Sequence, residues 1–167
     1  MAGRRKINLR EVEDFITEKL GKKLQRDLRK LRIVREADLE CCAYYHLRKF
    51  LSRDSAWKVL ARRYWRTSGK QRYTDLMIFL NSTPYIAIEL KWRRKKISRK
   101  DLKSLKSALK DLKVRKAYFI TTVIPNVSEY ERSQHKICEI PVGLNFSQKK
   151  YEKWKKERKK FTRKLKM

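Results

Sequence analysis

The chain has 167 residues, of which 47 are Lys or Arg and 18 are Asp or Glu, so its formal net charge is +29 at pH 7. Charged residues make up 39% of the chain, against about 25% in ordinary soluble domains, so we expect one modest core rather than two. No apolar stretch approaches the roughly 20 residues of a membrane-spanning helix. Residues 1–14 lack the apolar run of a leader peptide, and we therefore expect an intracellular protein.

The excess of positive charge is the strongest functional signal in the sequence. A small domain needs a net charge of only about 2 to 8 for solubility. Nucleic-acid phosphates attract Lys and Arg whatever the base sequence, so a nucleic acid is the predicted partner. An anionic membrane surface is the weaker alternative, because the basic stretches lack a broad apolar stripe beside them. We therefore predict no membrane partner.

The residue types exclude several kinds of chemistry. The four glycines are too scattered for a phosphate-binding loop or a dinucleotide fingerprint. Only His46 and His135 are present, so a site with several histidine ligands cannot be assembled. Serine-hydrolase motifs are missing as well. Any catalytic chemistry must therefore use carboxylates, lysines or hydroxyl groups.

The N-terminal part of the sequence predicts two helices. Asn8 begins a capping box, and the apolar residues that follow recur at helical intervals until Gly21, which we expect to end the first helix. A second helix with one apolar stripe is predicted over residues 36–51. Glu36 and Glu40 lie on or beside that stripe, so at least one of their carboxylates should face inward.

The middle of the chain predicts strands. Residues 57–67 combine strand-forming side chains with many basic ones, which indicates an exposed or edge strand. Residues 68–72 are expected to form a flexible basic loop. Two further runs at 73–80 and 85–92 predict a hairpin. Its first strand becomes apolar on both faces after Asp75, so this strand should lie inside the sheet.

A helix and a returning strand follow the hairpin. Ser98 is positioned to cap a helix over residues 98–113, and the apolar run at 117–124 predicts the next strand. A strand, a helix and a strand in this order form a parallel crossover, so the predicted fold is α/β, with a mixed central sheet flanked by helices. We assign no ordered fold to the lysine-rich C-terminal end unless it becomes helical on binding. The expected division is a basic helical extension at 1–35, a core at 36–143 and a Lys-rich extension at 144–167.

One constellation of side chains could carry chemistry. Alternation along 85–92 puts Glu89 and Lys91 on the same face of the strand, about 7 Å apart at the backbone. Charged groups on so apolar a strand are costly unless they are paired or functional. Asp75 lies across the hairpin, where its carboxylate can approach that of Glu89. A cleft with two carboxylates suits Mg²⁺, a hard ion that takes oxygen ligands.

The order Asp75, hairpin, Glu89 and Lys91 resembles the PD-(D/E)XK nuclease superfamily. The resemblance extends over residues 36–124, since a helix with an acidic residue precedes the hairpin and a helix and strand follow it. In size the chain is most similar to archaeal Holliday junction resolvases and small viral nucleases. The proline that precedes the family's aspartate is replaced by Thr74. A second Glu-x-Lys at Glu157 has no apolar strand under it and serves as an internal negative control.

The resemblance implies a restriction-endonuclease-like core and a metal-dependent endonuclease, for which DNA is favoured over RNA as the substrate. Asp75 and Glu89 would bind one or two ions of Mg²⁺ or Mn²⁺, and Glu40, with Glu36 as its substitute, would assist. Lys91 would orient or help deprotonate the attacking water and stabilise the transition state. The residues expected to bind nucleic-acid phosphates beside this cleft are Lys70, Arg72, Arg93, Arg94, Lys95 and Lys96.

Phosphate contacts position a substrate without reading its bases, so we expect selection by shape rather than by sequence. A homodimer would suit a junction-cutting enzyme, because two symmetric strands need two sites. The alternative to a nuclease is a basic binding protein without catalytic activity, of ribosomal or chromatin type, or a degenerate nuclease fold. Both hypotheses predict binding that weakens with salt.

Overall fold

The computed structural model describes residues 6–67, 69–94, 96–123, 137–143 and 148–164. Its strands are β1 (Trp57–Thr67), β2 (Lys70–Leu80), β3 (Thr83–Lys91), β4 (Lys116–Val123) and β5 (Cys138–Gly143). Its helices are α1 (Leu9–Asp14), a π-helical segment (Phe15–Leu20), α2 (Gly21–Arg29), α3 (Glu36–Leu51), α4 (Arg99–Asp111) and α5 (Gln148–Lys164).

The five strands form one mixed sheet in the order β1-β2-β3-β4-β5. The pairs β1–β2 and β2–β3 are antiparallel, and the pairs β3–β4 and β4–β5 are parallel, with α4 as the crossover between β3 and β4. The predicted α/β class with helices flanking a mixed sheet is therefore confirmed. The edge position of 57–67 and the interior position of β2 are confirmed as well. Strand β5 was not predicted; it is short and contains Pro141, which an edge strand tolerates.

The N-terminal helical region is longer than predicted. The capping box between Asn8 and Glu11 is present, but Gly21 does not end the helix, since it has helical dihedral angles of −55° and −45° and α2 begins there. Leu24 and Leu28 on α2 are fully buried in the main core. Burial of these side chains outweighs the cost of about 1 kcal/mol for glycine inside a helix.

Both hairpin connections are shorter than predicted. Thr67 pairs with Lys70, so the expected loop over 68–72 is wrong for residues 70–72, which belong to β2. Cross-strand pairing with β1 explains the difference, because it satisfies backbone groups that a loop would leave to water. In the β2–β3 turn, Asn81 and Ser82 have φ of 47° and 68°. Two successive positive φ angles are the signature of a type I′ turn, which suits the twist of a hairpin.

The two faces of β3 belong to different parts of the core. Ile86, Ile88 and Leu90 lie in the main hydrophobic cluster, together with apolar residues of α1, α2 and α3. Ala87 lies in a second cluster, which includes Leu105 of α4. The predicted alternation along this strand is confirmed, and both faces of the sheet centre are covered by helices.

The C-terminal segment contains an ordered helix that packs against the N-terminal region. Trp154 of α5 is only 4% exposed, and its indole Nε1 donates a hydrogen bond of 3.0 Å to the carbonyl of Leu28. The Arg158 guanidinium donates to the Val34 carbonyl and lies 5.2 Å from the ring centre of Trp92, the residue after β3. An aromatic anchor and backbone hydrogen bonds thus hold α5 beside the end of β3. None of the helices in the described part of the chain is both long and apolar enough to span a bilayer.

Candidate active site

The candidate site lies where β2 and β3 stop pairing through their backbones. Their last ladder pair joins Leu76 to Ile88, and Asp75 and Glu89 are the next residues on the two strands. Beyond this pair, hydrogen bonds from side chains of β2 to the backbone of β3 join the two strands. The Thr74 hydroxyl donates to the Ile88 carbonyl at 2.7 Å, and Asp75 Oδ2 accepts a hydrogen bond of 2.7 Å from the Leu90 N–H. The Asp75 carboxylate is therefore held directly against β3.

Lys91 is the centre of a cluster of carboxylates. Its Nζ lies 2.7 Å from Glu89 Oε1 and 3.5 Å from Asp75 Oδ2. It also lies 3.4 Å from Oε1 of Glu36. Asp75 and Glu89 are only 4% and 2% exposed. The three side chains of the sequence motif are thus brought together, with an acidic side chain from α3 beside them.

The two acidic residues at the start of α3 have different partners. Glu36 contacts Lys91 and also accepts a hydrogen bond of 3.1 Å from the Trp92 N–H. Glu40 accepts hydrogen bonds of 3.3 Å from Arg62 of β1 instead. Its charge still acts on Asp75, whose pKa it helps to raise. Direct contact with Lys91 is therefore made by Glu36, the predicted substitute, rather than by Glu40.

Burial controls the protonation of the cluster. Removal from water raises the pKa of Asp75 to about 6, although Lys91 and the Leu90 N–H oppose the shift. Burial, followed by the charge of Asp75, raises the pKa of Glu89 to about 8. Burial would lower the pKa of Lys91, but Glu89 and Asp75 outweigh it and raise that pKa above its ordinary value. One lysine cannot neutralise two buried carboxylates, so the pair retains a proton near neutral pH.

One oxygen of the site has no partner. Glu89 Oε2 is buried and makes no hydrogen bond within the described residues. Glu89 borders a cavity of about 40 Å³, which it shares with Arg72, whose Nε is likewise buried without a partner. A buried polar atom without a partner costs about 1 to 3 kcal/mol, which an additional ligand or water molecule would recover. The cavity is large enough to hold at least one water molecule.

The donor set fits a hard divalent cation. Asp75 and Glu89 contribute carboxylate oxygens, and Glu89 Oε2 supplies an acceptor that has no hydrogen-bond partner among the described residues. Mg²⁺ is commonly held by one or two carboxylates and keeps several of its waters. Within the described ranges there is no group of three or more His, Cys, Asp or Glu side chains that forms a ready-made metal site. The fit therefore rests on this carboxylate pair.

The predicted phosphate-binding residues occupy two places. Arg93 and Arg94 are exposed and follow Lys91 closely in the chain. Their backbone N–H groups donate to the hydroxyls of Thr122 and Thr121 on β4. Lys96 is exposed nearby, and Lys95 lies outside the described residues. Lys70 and Arg72 lie on β2, beyond its pairing with β3. Of these two, Arg72 borders the cavity beside Glu89.

Three further residues belong to the surroundings of the site and were not predicted. Arg62 binds Glu40 from a backbone with φ of 48°, an unfavourable angle for a residue with a side chain. Asp101 of α4 adds a negative charge that raises the pKa of Glu89. Tyr73 borders the cavity. Of these three, only Asp101 could be singled out from the sequence, because it lies three residues after the helix cap Ser98. That spacing indicates the start of a helix and not a functional role.

Comparison with known proteins supplies a family but no activity. A search of the curated proteins finds no match to the sequence. A family model described as a domain of unknown function, DUF4143, matches residues 36–142, which extend from the start of α3 into β5 and include all the residues of the candidate site. Because this match spans more than half of the chain, the protein belongs to the DUF4143 family.

Proposed function

We propose that the protein is a metal-dependent nuclease that hydrolyses DNA phosphodiester bonds and selects its substrate by shape. The observation that carries the proposal is the convergence of Asp75, Glu89 and Lys91, with Nζ 2.7 Å and 3.5 Å from the two carboxylates. Buried charges in this arrangement are costly to the fold. A catalytic task explains their presence better than a structural one, since apolar residues would stabilise the strand more.

Asp75 and Glu89 would hold the Mg²⁺ or Mn²⁺ ion through their carboxylate oxygens. When bound, such an ion supplies positive charge for the phosphate oxygens and lowers the pKa of a coordinated water. The Leu90 N–H keeps the Asp75 carboxylate in place for this purpose. Glu36 holds Lys91 and the Trp92 backbone, and in this way positions the end of β3.

Lys91 would act as a cation rather than as a base. Its pKa is raised by Glu89 and Asp75, so it keeps its proton at neutral pH. A charged ammonium can donate hydrogen bonds to a phosphate oxygen or to the attacking water and stabilise the charge that grows in the transition state. Arg93 and Arg94 would bind neighbouring phosphates. Such contacts do not discriminate between bases, which supports selection by shape.

The test is a cleavage assay on labelled junction, flap, duplex and single-stranded DNA with Mg²⁺, Mn²⁺ or EDTA. We expect cleavage with a divalent ion and none with EDTA. Asp75→Asn, Glu89→Gln and Lys91→Ala should each lower cleavage by at least about 100-fold, the scale on which loss of one preorganised electrostatic group acts. Binding of uncleaved DNA in EDTA should stay within about threefold of the parent chain, because the exposed basic residues that bind the neighbouring phosphates, such as Arg93 and Arg94, are unchanged.

Glu157→Gln is the matched control for Glu89→Gln. Glu157 belongs to the second Glu-x-Lys sequence, but its side chain is half exposed on α5, where it lies 4.0 Å from Lys153 Nζ. This variant should cleave like the parent chain. No cleavage of any substrate with either metal would refute the proposal. Loss of as much activity in the control as in the motif variants would refute it too.

One observation favours a second candidate function, a basic nucleic-acid-binding protein without catalysis. Lys91 already pairs with Glu36, Asp75 and Glu89, as expected of a former catalytic site that is now held together by ion pairs. In that case DNA binding would weaken with salt, as in a nuclease. The divalent ions would then produce no cleavage, and the three motif variants would behave like the parent chain.

DNA is the proposed partner and the cell interior the proposed location, in keeping with the net charge of +29. A homodimer would let two sites act on the two strands of a junction. Sedimentation with and without a DNA junction would measure this stoichiometry. Two chains per junction are expected.

A further inference from the structure

Two tyrosines form an exposed aromatic pair on the β1–β2 hairpin. Tyr64 and Tyr73 are direct cross-strand partners, their ring centres lie 5.8 Å apart, and their side chains are 58% and 38% exposed. The other large hydrophobic side chains that are exposed in the described residues are Tyr45 and Leu60. Aromatic rings contribute most to stability when they are buried. The packing of the core therefore does not explain this pair.

The pair lies beside the candidate active site. Tyr73 borders the 40 Å³ cavity that Glu89 also borders, and its carbonyl accepts a hydrogen bond of 2.6 Å from the Ser104 hydroxyl of α4. Lys100 Nζ lies 5.9 Å from the centre of the Tyr73 ring. Tyr64 follows Arg62 by two residues, and Arg62 binds Glu40. A group stacked on the Tyr73 ring would thus lie beside the cavity that Glu89 borders.

The charge around the two rings suits a polyanion. Residues 58–74 contain no Asp or Glu. Residues 63–67 of β1 pair with β2 beyond Leu76, the last residue of β2 that pairs with β3. The closed end of the β1–β2 hairpin therefore extends past β3. The basic residues of the segment are Lys58, Arg62, Arg63, Arg66, Lys70 and Arg72. Exposed aromatic rings among basic side chains are the typical surface on which single-stranded nucleic acid binds.

We propose that Tyr64 and Tyr73 form a stacking platform for an unpaired base of a DNA substrate, next to the phosphate to be cleaved. The inference rests on the proposed function and narrows its substrate class to DNA with a single-stranded segment at the site, such as a flap or an open junction. In a continuous duplex the faces of the bases are covered by their neighbours. Only unpaired or terminal bases offer a face to a protein ring.

Binding in EDTA tests the platform separately from catalysis. The affinities of the parent chain for a single-stranded oligonucleotide and for a hairpin duplex closed at both ends would be measured by fluorescence anisotropy. Tyr64→Ala and Tyr73→Ala should each weaken single-strand binding by roughly 5- to 150-fold, the range found when one stacked ring is removed. Duplex binding should change by less than about twofold, because phosphate contacts dominate it. Tyr64→Phe and Tyr73→Phe should bind like the parent chain, because they keep the ring.

Tyr45→Ala is the matched control. Tyr45 is 58% exposed, as Tyr64 is, but it lies on α3 against His46. Its removal should leave both affinities unchanged. The proposal is wrong if the Tyr64 and Tyr73 variants weaken duplex and single-strand binding equally. It is also wrong if they change the oligomeric state instead of binding, since the face would then be a protein contact.

A second measurement needs no variant. Single-stranded DNA that carries 5-iodouracil would be irradiated on the parent chain, and the crosslinked residues would be identified by mass spectrometry. Adducts at Tyr64 or Tyr73 are expected, and adducts confined to other residues would overturn the platform. Lack of cleavage with these adducts present would refute the nuclease and leave the platform standing. Cleavage of continuous duplex with no such adduct would refute the platform alone.

Discussion

Glu36 Oε1 lies 3.4 Å from Lys91 Nζ, although the two residues are 55 positions apart in the chain. The other oxygen of the same carboxylate accepts the Trp92 N–H at 3.1 Å. One side chain at the start of α3 therefore holds both the lysine and the backbone at the end of β3. Glu40, one turn further along the helix, is bound by Arg62 instead.

This difference predicts unequal effects of two similar substitutions. Glu36→Gln should lower the rate of DNA cleavage by about 10- to 100-fold, the usual effect of losing a residue that orients a catalytic group. Glu40→Gln should lower it less, because Glu40 has no contact with Lys91. Cleavage rates at saturating DNA would measure both effects. A larger loss from Glu40→Gln would assign the supporting role to Glu40.

Metal binding should stabilise the folded chain. A ligand at ten times its dissociation constant adds about 1.4 kcal/mol to the free energy of unfolding. For a chain of this length that corresponds to a rise of about 3 to 6 °C in Tm. Thermal unfolding with Mn²⁺ and with EDTA would show this rise in the parent chain and in Glu157→Gln. Asp75→Asn and Glu89→Gln should remove it, and an equal rise in these two variants would place the ion elsewhere.

Helix α5 should contribute to stability. Trp154 is buried and its Nε1 donates to the Leu28 carbonyl, so Trp154→Ala should lower the free energy of unfolding by about 3 to 5 kcal/mol. Lys153→Ala is the control, because its side chain is 80% exposed and such changes usually stay within about 0.5 kcal/mol. Urea unfolding measures both values. Equal stability of the two variants would mean that α5 does not pack on α2.

The two adjacent cysteines should differ in reactivity. Burial raises the pKa of Cys42 to about 11, and the charges of Asp27 and Asp38 add to the shift, whereas Cys41 is exposed. A raised pKa lowers the fraction of reactive thiolate, so alkylation of Cys42 should speed up as the pH rises toward 11. Mass spectrometry after a short iodoacetamide pulse at pH 8 should find Cys41 modified well ahead of Cys42. In urea the two rates should converge, and equal rates in the folded chain would contradict the partial burial of Cys42.

Much of the local structure could be predicted from the residues alone. The helix over 36–51, the cap at Ser98 and the alternation along β3 all follow from short-range patterns that the structure confirms. The helix stop predicted at Gly21 is wrong because a stop depends on what the following turns can bury. The order of α5 could not be predicted for the same reason, since its anchor Trp154 docks on a carbonyl 126 residues away.

The sequence by itself determined the chemistry that is available to this protein: an excess of positive charge, few histidines, and a carboxylate and a lysine on one strand face. These properties follow from composition and from the period of a strand, neither of which needs a partner element. The tertiary structure alone decided that Glu36 rather than Glu40 contacts Lys91 and that Tyr64 lies beside Tyr73. Such contacts depend on how helices and strands pack, and packing is set by residues far apart in the chain.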